Sequence, residues 1–123
     1  MSYYLIVKTG WRFEPLEFSR QLRTRWPAVQ AKEIQNPLRK NVLEFEFPAM
    51  GATLFGSLNR EGTAVIFHGN RQDCAEFSSW CRSLIPPSED VVLCDGSMTI
   101  HFELKPEMAP ADIIQAIRSS EEE

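Results

Sequence analysis

The sequence predicts an α+β fold: a mostly antiparallel sheet of five to seven strands, with two main helices and a short C-terminal helix packed on one face. Three observations predict it. Period-two alternation recurs in short stretches, most cleanly in VLEFEF at 42–47 and SMTIHFEL at 97–104. Turn signals such as Arg60-Glu61-Gly62 and Asp95-Gly96 separate the stretches closely enough for hairpins. Two segments instead carry apolar residues at helical spacing: Phe18, Leu22 and Trp26, and Phe77, Trp80, Cys81 and Leu84.

The elements follow in order. SYYLIVKT, residues 2–9, is rich in β-branched and aromatic side chains and reads as a strand. Pro15 suits the first turn of a helix, Glu17 complements its dipole, and Phe13 is placed to pack on Phe18 as a hydrophobic staple. Pro27 stops that helix. VQAKEIQ, residues 29–35, fits either a loop or an edge strand, and NPLRKN reads as a loop. In VLEFEF, Leu43, Phe45 and Phe47 point one way while Glu44 and Glu46 point the other, as in a half-buried antiparallel strand. TLFGSLN and TAVIFHG form the next hairpin.

The second helix is expected to open on a capping box made by Asp73 and Glu76 and to end at Pro86 and Pro87. DVVLCD is a strand. SMTIHFEL should turn Met98, Ile100, Phe102 and Leu104 inward and Thr99, His101 and Glu103 outward. The last helix starts at Pro110 and docks through Ile113, Ile114 and Ile117, leaving residues 119–123 as a frayed acidic tail. Length sets the domain count: 123 residues make a single globular domain, 1–123. A chain of this size buries enough apolar surface to fold without metal or disulfide.

No apolar run reaches the roughly 20 residues of a membrane span, and the opening YYLIV falls short of the ~7–15-residue core of a signal peptide. The expectation is a soluble cytoplasmic protein that contacts no membrane. Cys74, Cys81 and Cys94 are odd in number and contain no CxxC, so reduced thiols are expected. The net charge of −4 is uneven. Residues 1–41 hold eight of the 13 Lys and Arg with three acids, and the remainder holds five basic and 14 acidic residues. Such asymmetry steers partners and says nothing about fold.

Catalytic equipment is sparse. His68 ends a strand beside Gly69 and could act as a base only with an orienting carboxylate, while Asp73 is already engaged as a cap. A bend between strand and helix is the simpler reading, with Gly69 at the bend and Asn70 or Asp73 as the cap. His101 faces the polar side of its strand and reads as a solvated histidine that a cross-strand carboxylate could pair. Cys74, at the start of helix 2, could be acidified by the helix dipole but reads as a partly buried thiol. No phosphate-binding glycine loop, zinc spacing or EF-hand loop is present, so no metal and no cofactor are expected. Arg20, Arg23 and Arg25 could grip phosphates, yet the chain is acidic and holds no nucleic-acid module, so no nucleic acid is expected as a partner.

One surface remains. With helices covering one face of the sheet, the other is polar and bare, carrying Glu44, Glu46, Thr99, His101 and Glu103. It suits a protein partner with a basic surface, because complementary charge speeds encounter and rejects wrong partners. The alternative is that these acids only keep the sheet soluble. FSSWCRSLIP, followed by VVLCDGSMTIHFELKPEMAPADIIQAI, resembles small bacterial immunity proteins that neutralise polymorphic toxins. The resemblance covers about half the chain, without a diagnostic motif. It implies inhibition by binding: an acidic surface covering a toxin domain. The expected function is therefore a non-enzymatic protein-binding domain of the immunity type. The competing readings are a small enzyme or ligand-binding domain using His68 or His101, and a regulatory subunit of a larger assembly.

Overall fold

Period-two alternation sorts the strand residues of one antiparallel sheet onto two faces throughout residues 2–121, the part of the chain that the computed structural model describes. In chain order the elements are β1 (Ser2–Val7), α1 (Pro15–Arg25), β2 (Gln30–Glu33), β3 (Asn41–Pro48), β4 (Thr53–Asn59), β5 (Ala64–His68), α2 (Arg71–Ser83), β6 (Val91–Asp95), β7 (His101–Glu103) and α3 (Pro110–Glu121). The strand order across the sheet is β2-β3-β4-β5-β1-β6-β7, with every pair antiparallel. The sheet thus has the seven strands at the upper end of the expected range, and residues 30–33 resolve the ambiguous segment as an edge strand.

Inward side chains are apolar and buried: Tyr3, Leu5 and Val7 on β1, Leu43, Phe45 and Phe47 on β3, Val65 and Phe67 on β5, and Val91 and Leu93 on β6. Gly56 of β4 interrupts this face for a steric reason. The Phe45 ring lies over its Cα, and an added Cβ would stand 2.4 Å from Phe45 Cζ. At the β4–β5 turn, Gly62 adopts φ 76° and its carbonyl accepts from Phe13 N–H at 2.8 Å, which ties the turn to the segment entering α1.

Helix α1 begins as expected. Pro15 occupies its first turn, Glu14 caps it by accepting from Glu17 N–H at 2.8 Å, and the Phe13 and Phe18 rings meet edge-on at 5.1 Å. Helix α2 begins three residues earlier than the Asp73–Glu76 pattern predicts. Asn70 is the cap, and its side chain accepts from Asp73 N–H at 2.8 Å. Asp73 is thereby freed to turn out of the helix, where its buried carboxylate accepts from Gly51 N–H (3.0 Å) and Ala52 N–H (3.2 Å) in the β3–β4 turn.

Rings join the helices to the sheet. Phe18 of α1 meets Phe45, and Trp26 stacks on Phe47 at 4.3 Å. Phe77 of α2 lies at the centre, with ring centroids 4.8 Å from Phe67, 5.6 Å from Phe45 and 6.0 Å from Phe47. Helix α3 packs against α2 and reaches β7, burying Ile113 and Ile117. It continues through 119–121, where the sequence suggests a frayed tail, and Glu121 pairs with Arg71 at the start of α2. Residues 122 and 123 lie outside the described residues.

Two further expectations are corrected at β7. The strand is three residues long, and residues 96–99 form a turn in place of its first half. Asp95 closes the turn: its N–H donates to Ile100 O, and its Oδ1 accepts from Ile100 N–H. Met98, expected inside, is 58% exposed with φ 62°, because the turn removes it from the pleat.

Arg82 is buried, with no carboxylate hydrogen-bonded to it among the described residues. Its guanidinium donates to the carbonyls of Leu104, Ile85, Pro86, Pro87 and Glu89, joining the end of α2, the following loop and the end of β7. Burial pulls its pKa down, yet the group stays charged because an arginine titrates so far above neutrality. Phe77→Ala removes the central ring and is expected to cost about 3–5 kcal/mol in urea unfolding. Arg82→Met, which leaves the buried carbonyls without donors, is expected to lower the urea midpoint by the equivalent of about 3 kcal/mol.

Candidate functional site

The outward face is built by the same pleat. Strand register sets Gln30, Glu46, Phe55, His68 and Ser2 in one cross-strand row. The adjacent row runs Lys32, Glu44, Ser57, Ile66, Tyr4, Cys94 and His101. Over β2–β5 this face is concave and forms an open groove of about 680 Å³. Phe55 and Ile66 form its floor, with Lys32, Glu44, Glu46 and His68 around them. Phe55 is 49% exposed, so the groove offers an aromatic surface as well as charge.

Glu44 and Glu46 stand on the same face of β3, about 7 Å apart along the strand. Neither joins an ion pair among the described residues, whose ion pairs are Arg20–Glu17 and Arg71–Glu121. Lys32 lies beside Glu44 in register and partly balances the pair. The groove therefore carries two acids, one base and an apolar floor, a combination that draws in a cation and offers it a flat surface to pack on.

The five residues expected to form one partner-binding surface do not come together. Glu44 and Glu46 line the groove on β3, whereas His101 and Glu103 lie on β7 at the opposite end of the sheet. Five strand spacings separate them, about 24 Å. Thr99 belongs to the turn before β7, where its hydroxyl bonds that of Ser97. All five are polar and outward or exposed, which is why alternation alone groups them; strand order is what divides them.

His68 does enter the groove, as the last residue of β5. Its Nδ1 lies 3.1 Å from Ser2 Oγ. No carboxylate among the described residues hydrogen-bonds to it, so the Ser–His contact lacks the group that would orient and charge the ring for base catalysis. The bend after it is real: Gly69 and the Asn70 cap carry the chain directly into α2. Among the described residues, no cluster of three or more His, Cys, Asp or Glu is arranged to hold a metal ion. No helix there is long and apolar enough to cross a membrane.

The outward groove residues missed in the sequence include Lys32, Phe55 and Ile66, with Gln30 and Ser57 beside them. Phe55 was legible in principle, because its neighbour Leu54 and the later Leu58 both point inward, which turns Phe55 outward by parity. Lys32 needed β2 to be recognised as a strand. Comparison with known proteins found no matching family model, no matching curated protein and no matching solved structure.

The three thiols are free and buried. Cys74, expected to be a partly buried thiol, is fully covered, and its pKa is pushed up to about 12, chiefly by burial and further by Asp73. Burial also raises Cys81 and Cys94, the latter with help from Asp95. Native thiols are thus expected to resist a disulfide reagent at pH 8 and to react once urea unfolds the chain. The linkage has a definite sign. The Cys74 contribution is intact below about pH 9, where the unfolded thiol is protonated, and is lost as pH rises toward about 12. Stability should fall across that window, and Cys74→Ala should flatten the fall in a pH series of urea melts.

Proposed function

We propose that this chain is a non-enzymatic protein-binding domain whose β2–β5 groove receives a basic segment of a partner protein. The observation that carries the reading is the pair Glu44 and Glu46, without an ion-pair partner among the described residues, above a floor that exposes Phe55. A long basic side chain matches both features, with its alkyl stem on the Phe55 ring and its charged head on the carboxylates. The α1 and α2 rings pack on the inward side chains of β3 and β5, the side of the sheet opposite Glu44, Glu46 and Phe55.

The resemblance to immunity proteins extends the reading. The partner would be a toxin domain with a basic surface, held in the cytoplasm, a compartment that suits three unpaired thiols. His101 and Glu103 lie outside this surface, so the proposal rests on Glu44, Glu46, Phe55 and Lys32.

The test compares capture from native cells, or of a co-expressed neighbouring toxin, by the original chain and by the E44K/E46K variant. The expected result is a 1:1 complex that weakens with salt and is lost at least about tenfold in the double variant, with Glu103→Lys unaffected. Equal capture by both chains, or no complex with either, would remove the groove as a binding site.

A further inference from the structure

The sheet ends in two edges, β2 and β7, and only one of them is chemically matched to itself. At β7 the direction of each backbone group follows from two hydrogen bonds: Asp95 N–H donates to Ile100 O, and Leu104 N–H donates to Val91 O. Residues 100, 102 and 104 therefore turn their backbone toward β6, and His101 and Glu103 turn theirs away from the sheet. Both side chains are exposed on the outward face, and half-buried Phe102 lies between them on the inward face.

We infer that the chain pairs with a second copy of itself through β7, continuing the antiparallel sheet across a two-fold axis at Phe102. The register follows from the geometry. The two residues with outward backbone groups must form the hydrogen-bonded pairs, so His101 of each copy stands opposite Glu103 of the other, and the two Phe102 residues face each other between them. Two such pairs provide four backbone hydrogen bonds. Each also sets an imidazole against a carboxylate on the same face, the cross-strand arrangement that favours pairing. The covered Phe102 surface adds apolar contact, and the interface is isologous, as a closed dimer requires.

The β2 edge lacks this property. Ile34 N–H donates to Val42 O, so even-numbered residues turn to β3, while Ala31 and Glu33 turn outward. The symmetric register that uses both would set Lys32 directly opposite Lys32 of the second copy, where like charges repel. A lysine at that position protects the edge against self-pairing. The contrast assigns the second copy to β7. The surface lies about four strand spacings from β4 in the groove, so the pairing stands or falls separately from the binding proposed there.

The test is sedimentation velocity on the full chain from micromolar to millimolar concentration, with circular dichroism to verify folding. The original chain is expected to show a reversible monomer–dimer equilibrium. His101→Glu, which sets Glu against Glu103, and Glu103→Lys, which sets Lys against His101, should each weaken the dimer at least about tenfold. The exchanged variant H101E/E103H should recover it. Glu103→Pro, which deletes an outward N–H while sparing the β6 ladder, should abolish it. E44K/E46K should leave it unchanged. A chain that stays monomeric at millimolar concentration would overturn the inference, as would a dimer indifferent to the single charge variants.

Discussion

Phe77 is the contact on which the rest of the molecule depends. Its ring is fully buried and lies within about 6 Å of rings from α2, β3, β5 and Trp26, the residue that follows α1. The inward positions of Phe45, Phe47 and Phe67 are set by that packing, and a strand has only two sides. Whatever lies next to an inward ring must face solvent. Glu44, Glu46, Ile66 and His68 are groove residues because their neighbours are core residues. A one-residue slip of β3 would bury both glutamates and expose both phenylalanines, so the same aromatic cluster that stabilises the fold also holds the groove in register.

The treatment of charge inside the fold explains why acids remain free on the surface. Two arginines do internal structural work through backbone carbonyls instead of carboxylates. Arg82 holds the end of α2, and Arg60 gathers the carbonyls of Ile34, Asn36, Arg39 and Asn41 to fix the β2–β3 loop. Asp73 is satisfied by backbone N–H groups in the same way. Arg82, Arg60 and Asp73 thus each meet the partial charges of loops and turns, which satisfies them without a counter-ion. Glu44 and Glu46 join no ion pair among the described residues, which leaves them open to an external cation. Loops fixed by arginine also keep the sheet edges in place, which matters wherever an edge is to meet another strand.

Reading the sequence against the structure shows where local rules suffice. The α+β class and the inward set Leu43, Phe45 and Phe47 of β3 followed from alternation, because a strand's period of two is a property of the backbone. The Phe13–Phe18 staple and the Pro15 start of α1 followed from residue chemistry within one turn. The start of α2 was left open between Asn70 and Asp73 because Asp73 fits a capping box as well as it fits a turn clamp. Only the position of the β3–β4 turn, distant in sequence, decides which. Met98 was misplaced because a turn inserted into an alternating stretch leaves the alternation of letters intact while removing the pleat.

By itself, then, the sequence determined which residues are oily and which are charged, the three helices and most of the strands, and which side of β3 is wet. It could not determine which wet residues share a surface. Glu44, Glu46 and Glu103 look equivalent along the chain, yet β4, β5, β1 and β6 lie between them. Strand order is set by long-range pairing and by the aromatic contacts of α1 and α2, interactions between residues tens of positions apart. That order divided one expected acidic face into a groove at β2–β5 and a separate His–Glu edge at β7.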